Sequence, residues 1–437
     1  MNAQRRVLVV APYMCRGDTA SGDLRLQRML ELLAQSEAVD LLVPEPQPSR
    51  LDPGSRYWNL LRNAGVSIVD SRFHSRVALR CESQTPPYDW IIAEFWHQAA
   101  AIAHDVEMVR RDQPGLRFAI DTVDVHYLRE QAAVQCAAAD YGSASEVEAR
   151  KRRELATYRL ADALLVCTEE DAHSLAAEVP GCRSVVVPNI VVPLARRRAA
   201  RDKHLIFIGG FRHAPNVDAV LWFVREVFPV VRARLPDVQF SIIGSHASAA
   251  IQELHAAPGV RVVGFVEDTS AWLDKAAVSI APLRYGAGMK GKVTEALSAG
   301  IPVVATAVGA QGLGAVSGVH LHIADTAMAF ADAVVASLVD PVAAEAMGAR
   351  GRELVESICG AERVRRDLLD TLSSQPHESA ASRGRRGVWN RARALLQCRL
   401  WILRCQAARV RNSLRLRLGT LLKRLSRVAA RSAQQSP

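Results

Sequence analysis

Short runs of Val, Ile and Leu recur along the first 190 residues, spaced to leave room for about one helix each: RRVLVVAPY, AVDLLVP, DWIIAEFW, LRFAIDTVDVHY, ADALLVCT and RSVVVPN, with LRLQRMLELLA among the intervening stretches. Runs of this length that are apolar throughout, instead of alternating, belong to strands buried on both faces, and helix-length connections make such strands parallel. A proline and a basic cluster in VVPLARRRAARDK (191–203) break the pattern, as an exposed linker does. A second series then begins: HLIFIGGF, VLWFVREVFPVVRARL, VQFSIIGS, VRVVGFV, AVSIAPL, KVTEALSAG, IPVVAT and HLHIA. The expectation is an α/β chain of two Rossmann-like doubly wound domains, 1–195 and 204–358. A closing helix in 359–377 and a tail from 378 to 437 complete it, and 437 residues suit that division. Ligands of such sheets bind beyond the carboxyl ends of the strands, so the predicted active site is the cleft where the two domains face each other.

Charge is distributed unevenly. Residues 378–437 hold 15 of the 55 Lys and Arg and 1 of the 45 acids, which leaves 40 basic against 44 acidic residues before them. The net charge of +10 thus belongs to the tail, and so does any argument about anionic partners. Within 383–431, Trp389, Ala392, Leu396, Leu400, Leu403, Ala407, Val410, Leu414, Leu418, Leu421, Leu425 and Val428 recur at steps of three or four, with arginines filling most of the opposite face. One or two amphipathic helices are expected, of the kind that lie on an anionic membrane surface. A helical pair folded on the body or a coiled coil is the alternative, and with few aromatics and no recognisable nucleic-acid module, nucleic acid is not the expected partner.

Elsewhere the composition is that of a folded globular chain, 49% hydrophobic and 23% charged. Eight scattered cysteines form no CxxC pair, which argues against a zinc ribbon or a disulfide scaffold and for reduced thiols in the cytoplasm. The apolar run after Arg5 and Arg6 is shorter than a signal-peptide core, and no continuous apolar stretch reaches membrane-spanning length. The expected location is cytoplasmic, with peripheral attachment to the inner membrane face through the tail.

The chemistry concentrates in SIAPLRYGAGMKGKVTEALSAGIPVV, residues 279–304. A strand runs into a loop with Gly286, Gly288 and Gly291, then into a helix that ends at Gly300 before Pro302. Glycines allow close backbone approach, and a helix N-terminus offers unpaired N–H groups and partial positive charge, so the segment is an anion cradle. Lys290 and Lys292 add full charges at its mouth, Arg284 is a third candidate, and the set suits a diphosphate leaving group without a metal. Glu295, about one turn into the helix, is placed either to accept hydrogen bonds from two ribose hydroxyls or merely to stabilise the helix dipole.

This stretch, with GGFRHAPNVDAVLWF (209–223), VQFSIIG (238–244), VRVVGFVED (260–268) and EALSAGIPVVAT (295–306), resembles the donor-binding domain of family 4 glycosyltransferases, the retaining group with the GT-B fold. A weaker resemblance runs through SGDLRLQRMLELLA, DTVDVHYLRE, ADALLVCTEEDA and VVVPN in the first half. It implies transfer of a sugar from a nucleotide diphosphate sugar to a glycan or lipid-linked acceptor in envelope or exopolysaccharide synthesis, with retention, no metal and no cofactor beyond the donor. The donor would be held by Gly209, Gly210, Arg212, Val266, Gly288, Met289, Lys290, Gly291, Lys292 and Glu295. Ser21 and Gly22 would line the acceptor side, and Asp124, His126 and Lys292 are the candidate catalytic residues. His97 is a lesser candidate, and His213 reads as surface.

Family 4 enzymes usually carry two glutamates with seven residues between them, the second matching Glu295, and this chain departs from that pattern at the first. The position is Ala287, which puts the contacts to the donor's sugar in doubt. A binding or scaffold protein on the same fold is therefore one alternative reading, and a nucleotide-sugar epimerase on the same two-domain architecture is another.

Overall fold

The structure is a computed structural model that describes residues 4–18, 20–44, 54–69, 77, 81, 86–136, 142–192, 202–374 and 392–404. Two wholly parallel sheets form its frame. The first contains β1 (Arg6–Val10), β2 (Ala38–Leu42), β3 (Ser67–Val69), β4 (Trp90–Glu94), β5 (Arg117–Asp121), β6 (Ala163–Val166) and β7 (Arg183–Val186), in the order β3-β2-β1-β4-β5-β6-β7. The second contains β8 (His204–Ile208), β9 (Gln239–Ile243), β10 (Val260–Gly264), β11 (Val278–Ala281), β12 (Val303–Ala305) and β13 (His322–Ile323), in the order β10-β9-β8-β11-β12-β13.

The apolar runs explain this arrangement directly. Successive residues of a strand point to opposite faces. Accordingly Leu8, Val10, Ile91, Ala93, Phe118 and Ile120 pack into a core on one side of the first sheet, and Val7, Val9, Ile92 and Ala119 into a core on the other. With both faces covered by helices, each large aliphatic side chain contributes about 1.5–3 kcal/mol by leaving water. The strand order reverses between β1 and β4 and again between β8 and β11, and those two reversals open toward each other.

In VLWFVREVFPVVRARL the helix does not run evenly. Pro229 has no N–H to give the preceding turn, and the chain widens into a π-helical turn over Phe223–Val227, where the Phe228 N–H bonds Phe223 O five residues back. After β13, the helices Ala327–Val339 and Pro341–Cys359 complete the second domain, and the helix Ala361–Ser373 returns to the first. There it buries Val364, Leu368 and Leu372, and Trp90 Nε1 donates to Leu372 O at 3.1 Å. No single helix among the described residues is long and apolar enough to cross a membrane.

Of the tail, 392–404 is described and is helical, while Trp389 and the positions from Ala407 to Val428 lie outside the described residues. The helix docks with a different face from the one the three-four spacing singles out. Ala394 and Cys398 are buried against Ala100, Ala103, Ala156 and Leu160, with Leu395 and Trp401 packed beside them. The three alanines, on the helices Trp96–Asp112 and Ala144–Tyr158, let a helix approach closely. Leu396, Leu400 and Leu403 remain 57%, 48% and 53% exposed.

Candidate active site

The second domain's wall of the cleft is built where β11 leaves the sheet. Gly288 takes φ +66°, a backbone conformation costly for any side chain, and a Cβ there would lie 3.1 Å from Asp124 Cβ and 3.2 Å from Val123 O of the first domain. Gly291 opens the helix Gly291–Ser298, and a Cβ on it would collide with Ser21 Cβ at the start of the helix Ser21–Ala34. Two glycines of the loop are therefore required by the approach of the facing wall. The sequence pattern suggested only that something comes close.

Lys290 is 8% exposed, and its Nζ turns back on the loop, donating to Ala287 O at 3.0 Å, Gly288 O at 2.5 Å and Gln311 Oε1 at 3.3 Å. Burial pushes its ammonium down to about 8, against the pull of Asp124 and Asp171. Lys292 donates to Asn216 Oδ1 at 2.8 Å and lies 5.1 Å from the centre of the Phe207 ring. Burial, with the neighbouring Lys290 charge, pushes it down to about 7. Neither lysine has an ion-pair partner within 4 Å among the described residues. Two cations are thus held close together beside a helix N-terminus, at an energetic cost that an anion would relieve.

Asn216 joins this wall to the end of β8, since its Nδ2 donates to Gly210 O at 2.8 Å while its Oδ1 receives Lys292. A Cβ on Gly209 would come within 2.8 Å of the same amide. Glu295 accepts from Thr269 Oγ1 at 2.6 Å, which ties it to the loop after β10 that carries the half-buried Val266. Burial raises the Glu295 carboxyl above its usual range, with Thr269 and the Arg28 guanidinium opposing. Arg28, on the first domain's helix, donates to Ile190 O. Met289 is buried, its O accepting from Asn189 Nδ2 at 3.4 Å across the domains. Arg284, a candidate third phosphate cation, is instead exposed and ion-paired to Asp218, because its side chain leaves the cleft for the helix Ala214–Trp222. Arg212 and His213 are both exposed.

The first domain's wall rests on buried charge. Arg25 pairs with Asp121 at 2.6 Å with both side chains out of solvent, and its remaining N–H groups reach Val187 O at 2.8 and 3.2 Å. From this anchor the chain turns sharply. Val123 takes φ +57°, the Asp124 N–H bonds Thr122 O at 2.6 Å, and the strain of a β-branched residue in this region is about 1–3 kcal/mol. The turn delivers Asp124, which pairs with Arg129 and with His126 Nε2 at 3.1 Å. Burial works against its ionised form, but Arg129 and His126 hold the carboxyl well below the usual range.

His126 opens the helix His126–Gln135, whose N-terminus is capped by Glu154: the backbone N–H groups of His126 and Tyr127 each donate to that carboxylate at 2.9 Å. Burial pushes the His126 imidazolium down, Asp124 outweighs it, and the net direction is up. His97 stacks on Phe95 at 5.3 Å and is pushed down to about 4 by burial and by His126. Asp171, fully buried near Lys290 and Asp124, has no hydrogen-bond partner on either carboxylate oxygen among the described residues, and burial raises it to about 6.

Ser21, Gly22, Asp124, Gly288 and Gly291 therefore meet at one place, with Lys290 beside them. Asn216, Thr269, Glu154, Trp96 and Asp171 complete the site without having been singled out from the sequence. Asn216 and Asp171 lie within GGFRHAPNVDAVLWF and ADALLVCTEEDA, but nothing in those stretches marks them out, and each of the five is brought in by a neighbouring element.

Residues 202–340 match the family described as glycosyl transferases group 1. A protein encoded in the cps region of Klebsiella pneumoniae is 26% identical over 140 residues, 30% of this chain and 36% of that protein. The phosphatidyl-myo-inositol mannosyltransferase of Propionibacterium freudenreichii subsp. shermanii is 27% identical over 150 residues, 32% of this chain and 37% of that one. The matched segment thus spans little more than a third of these curated relatives. Over both domains the fold is GT-B. Anabaena HepE, solved with UDP and glucose, superposes with a TM-score of 0.63 at 12% identity, covering 84% of this chain and 99% of its own. The sucrose-phosphate synthase of Thermosynechococcus elongatus superposes with 0.61 at 16% identity, covering 84% and 98%.

Proposed function

We propose that the protein is a glycosyltransferase that moves a sugar from a nucleotide diphosphate sugar to a glycan or lipid-linked acceptor, with retention at the anomeric carbon and without a metal ion. The observation that carries the reading is the pair of Lys290, buried, and Lys292, half-buried, beside the N-terminus of Gly291–Ser298 with no ion-pair partner among the described residues, opposite Asp124 and His126. The match to group 1 glycosyl transferases over this domain and the solved complexes of HepE with UDP and with UDP-glucose support it.

In this reading the loop backbone at Gly288–Gly291 approaches the diphosphate, and the two ammonium groups take up the charge that grows as the glycosidic C–O bond breaks. Two lysines and a helix N-terminus supply what a divalent cation supplies elsewhere. Glu295 receives the ribose hydroxyls, and Val266 lies in the loop that meets the base. The acceptor enters beside Ser21 and Gly22, and its hydroxyl attacks on the face from which the diphosphate departs. Its proton passes toward the leaving oxygen, while Asp124 and His126 orient the groups around it.

The relatives, one encoded in a cps region and one a phosphatidyl-myo-inositol mannosyltransferase, favour an envelope acceptor. The stripe Leu396, Leu400 and Leu403, exposed beside Arg393, Arg399 and Arg404, fits attachment to an anionic inner membrane face. Incubation with a panel of nucleotide sugars, in the presence of a chelator and with release of nucleoside diphosphate as the readout, tests the activity. One donor turned over by the wild type and lost in Lys292→Met is the expected result. Binding without turnover, whatever the acceptor extract, would favour the scaffold alternative that Ala287 raises.

A further inference from the structure

The helix 392–404 ends against the active site. Trp401 packs on Trp96 with ring centroids 5.2 Å apart and planes tilted by 43°. Trp96 is itself 8% exposed, and its indole Nε1 donates to His126 Nδ1 at 3.1 Å. On the far side of the same imidazole, Nε2 faces Asp124 Oδ1 at 3.1 Å. An indole N–H can only donate, so Nδ1 must be a bare acceptor and the single ring proton must sit on Nε2, directed at Asp124. A second proton on Nδ1 would point at the indole N–H.

Trp96 belongs to the first domain's buried core, and Trp401 packs against that core where the indole lies. The Cys398 Sγ lies 3.5 Å from Thr157 Oγ1, and Ala394 and Cys398 fill the alanine-lined groove, so the tail helix is seated firmly enough to fix where Trp401 presses.

We propose that Trp401 and Trp96 are positioning residues for His126: the tail helix holds the Trp96 indole in place, and the indole fixes the imidazole with its Nε2 proton on Asp124. The inference rests on the cleft described under the proposed function but not on any donor. It makes the basic tail part of the active site's architecture as well as a surface element.

The groups that face His126 set the direction of the expected change. Asp124 draws a second proton to the ring and Glu154 helps from the helix Ala144–Tyr158, while Arg129 opposes it on the same helix as His126. His97, in the first turn of the helix Trp96–Asp112, is neutral near pH 7, and His213, from the second domain, stands near Asp124. Trp96 is the group that blocks Nδ1, so loosening it lets the ring protonate more readily.

The test is a set of long-range proton–nitrogen spectra of the histidine rings in the full chain across pH, with His126 assigned by its loss in His126→Gln. In the wild type we expect the tautomer protonated on Nε2. In Trp96→Phe, which keeps a ring but no donor, we expect mixed tautomers and a midpoint raised by about half to one pH unit, the worth of one neutral hydrogen bond. Trp401→Ala should move the same signals the same way by a smaller amount, and Trp401→Phe should restore them. A His126 signal in Trp401→Ala identical to the wild type in tautomer and midpoint would overturn the proposal, as would an Nδ1-protonated ring in the wild type. Should Trp401→Ala not fold, Trp401→Leu gives the same comparison. Since no donor enters the measurement, this inference and the transferase reading fail separately.

Discussion

On the second domain's wall of the cleft, Lys290 is buried and Lys292 half-buried with no acid in ion-pair reach among the described residues, and both ammonium groups are pushed down, to about 8 and about 7. On the first domain's wall the charges are buried or half-buried too, but nearly all are matched: Arg25 with Asp121, and Asp124 with Arg129 and His126. One wall holds charge in reserve for an anion, whereas the other uses its charge to fix a backbone turn and an imidazole. Changes on the first kind of wall should appear in binding and in its pH dependence, and changes on the second in geometry and stability.

The largest effect should come from Lys292→Met, which keeps the stem over Phe207 and removes the charge. A preorganised cation facing developing negative charge is worth about a hundredfold to a thousandfold in turnover, and loss on that scale is expected with the folded state intact by circular dichroism. A tenfold loss or less would mean that Lys292 is a structural lysine held by Asn216.

The pH profile follows from the same residue. Below pH 7 both lysines are charged and nucleoside diphosphate binding should be strongest. An anion bound beside them raises both proton affinities, so above pH 7 complex formation must take up a proton, and affinity should fall by up to about tenfold per pH unit until the midpoints in the complex are reached. Titration calorimetry in buffers of different ionisation enthalpy measures that uptake. Lys292→Met should abolish most of it, and an affinity flat from pH 6 to 9 would contradict the unspent-charge picture.

The two walls also differ in what the sequence makes legible. The GAGMKGK loop announces itself because an anion cradle needs glycines, cations and a helix start next to one another along the chain. The fold is legible for a related reason, since a strand buried on both faces must be apolar throughout. The first wall is assembled from side chains far apart in sequence, such as Glu154 capping a helix that begins at His126, and Trp96 meeting both His126 and Trp401. Nothing in the spacing of those residues encodes the contact. The tail shows the same limit, because its periodic leucines are readable while the docking face, made of Ala394, Cys398 and Trp401, depends on Ala100, Ala103 and Ala156, far earlier in the chain.

Where the walls touch, Gly291→Ala separates a local effect from an interdomain one. Alanine is the better helix residue by about 1 kcal/mol, so the melting temperature should hold or rise slightly. Its methyl group would nevertheless collide with Ser21 Cβ and hold the domains apart. We expect nucleoside diphosphate affinity or turnover to drop about tenfold, the worth of roughly 1.4 kcal/mol, and Ser21→Gly in the same chain to recover most of it. If the double variant is no better than the single one, the loss lies in the phosphate loop alone and the walls need not meet for function.

The smallest effect concerns the strain that the first wall carries in place of free charge. Val123 sits at φ +57° in the turn that delivers Asp124 to Gly288. Val123→Ala removes the two methyl groups and leaves a Cβ in the unfavourable region, whereas Val123→Gly removes the Cβ as well. In a relaxed backbone alanine would be the more stable of the two, because glycine has more freedom to lose on folding. At a positive φ the order reverses, and the glycine variant should be more stable than the alanine variant by about 1 kcal/mol in denaturant unfolding. Its turnover should be the lower of the two, since a glycine there no longer dictates where Asp124 points. Alanine proving the more stable would mean that the turn relaxes in solution, and that Asp124 is held by Arg129 and His126 without help from the backbone.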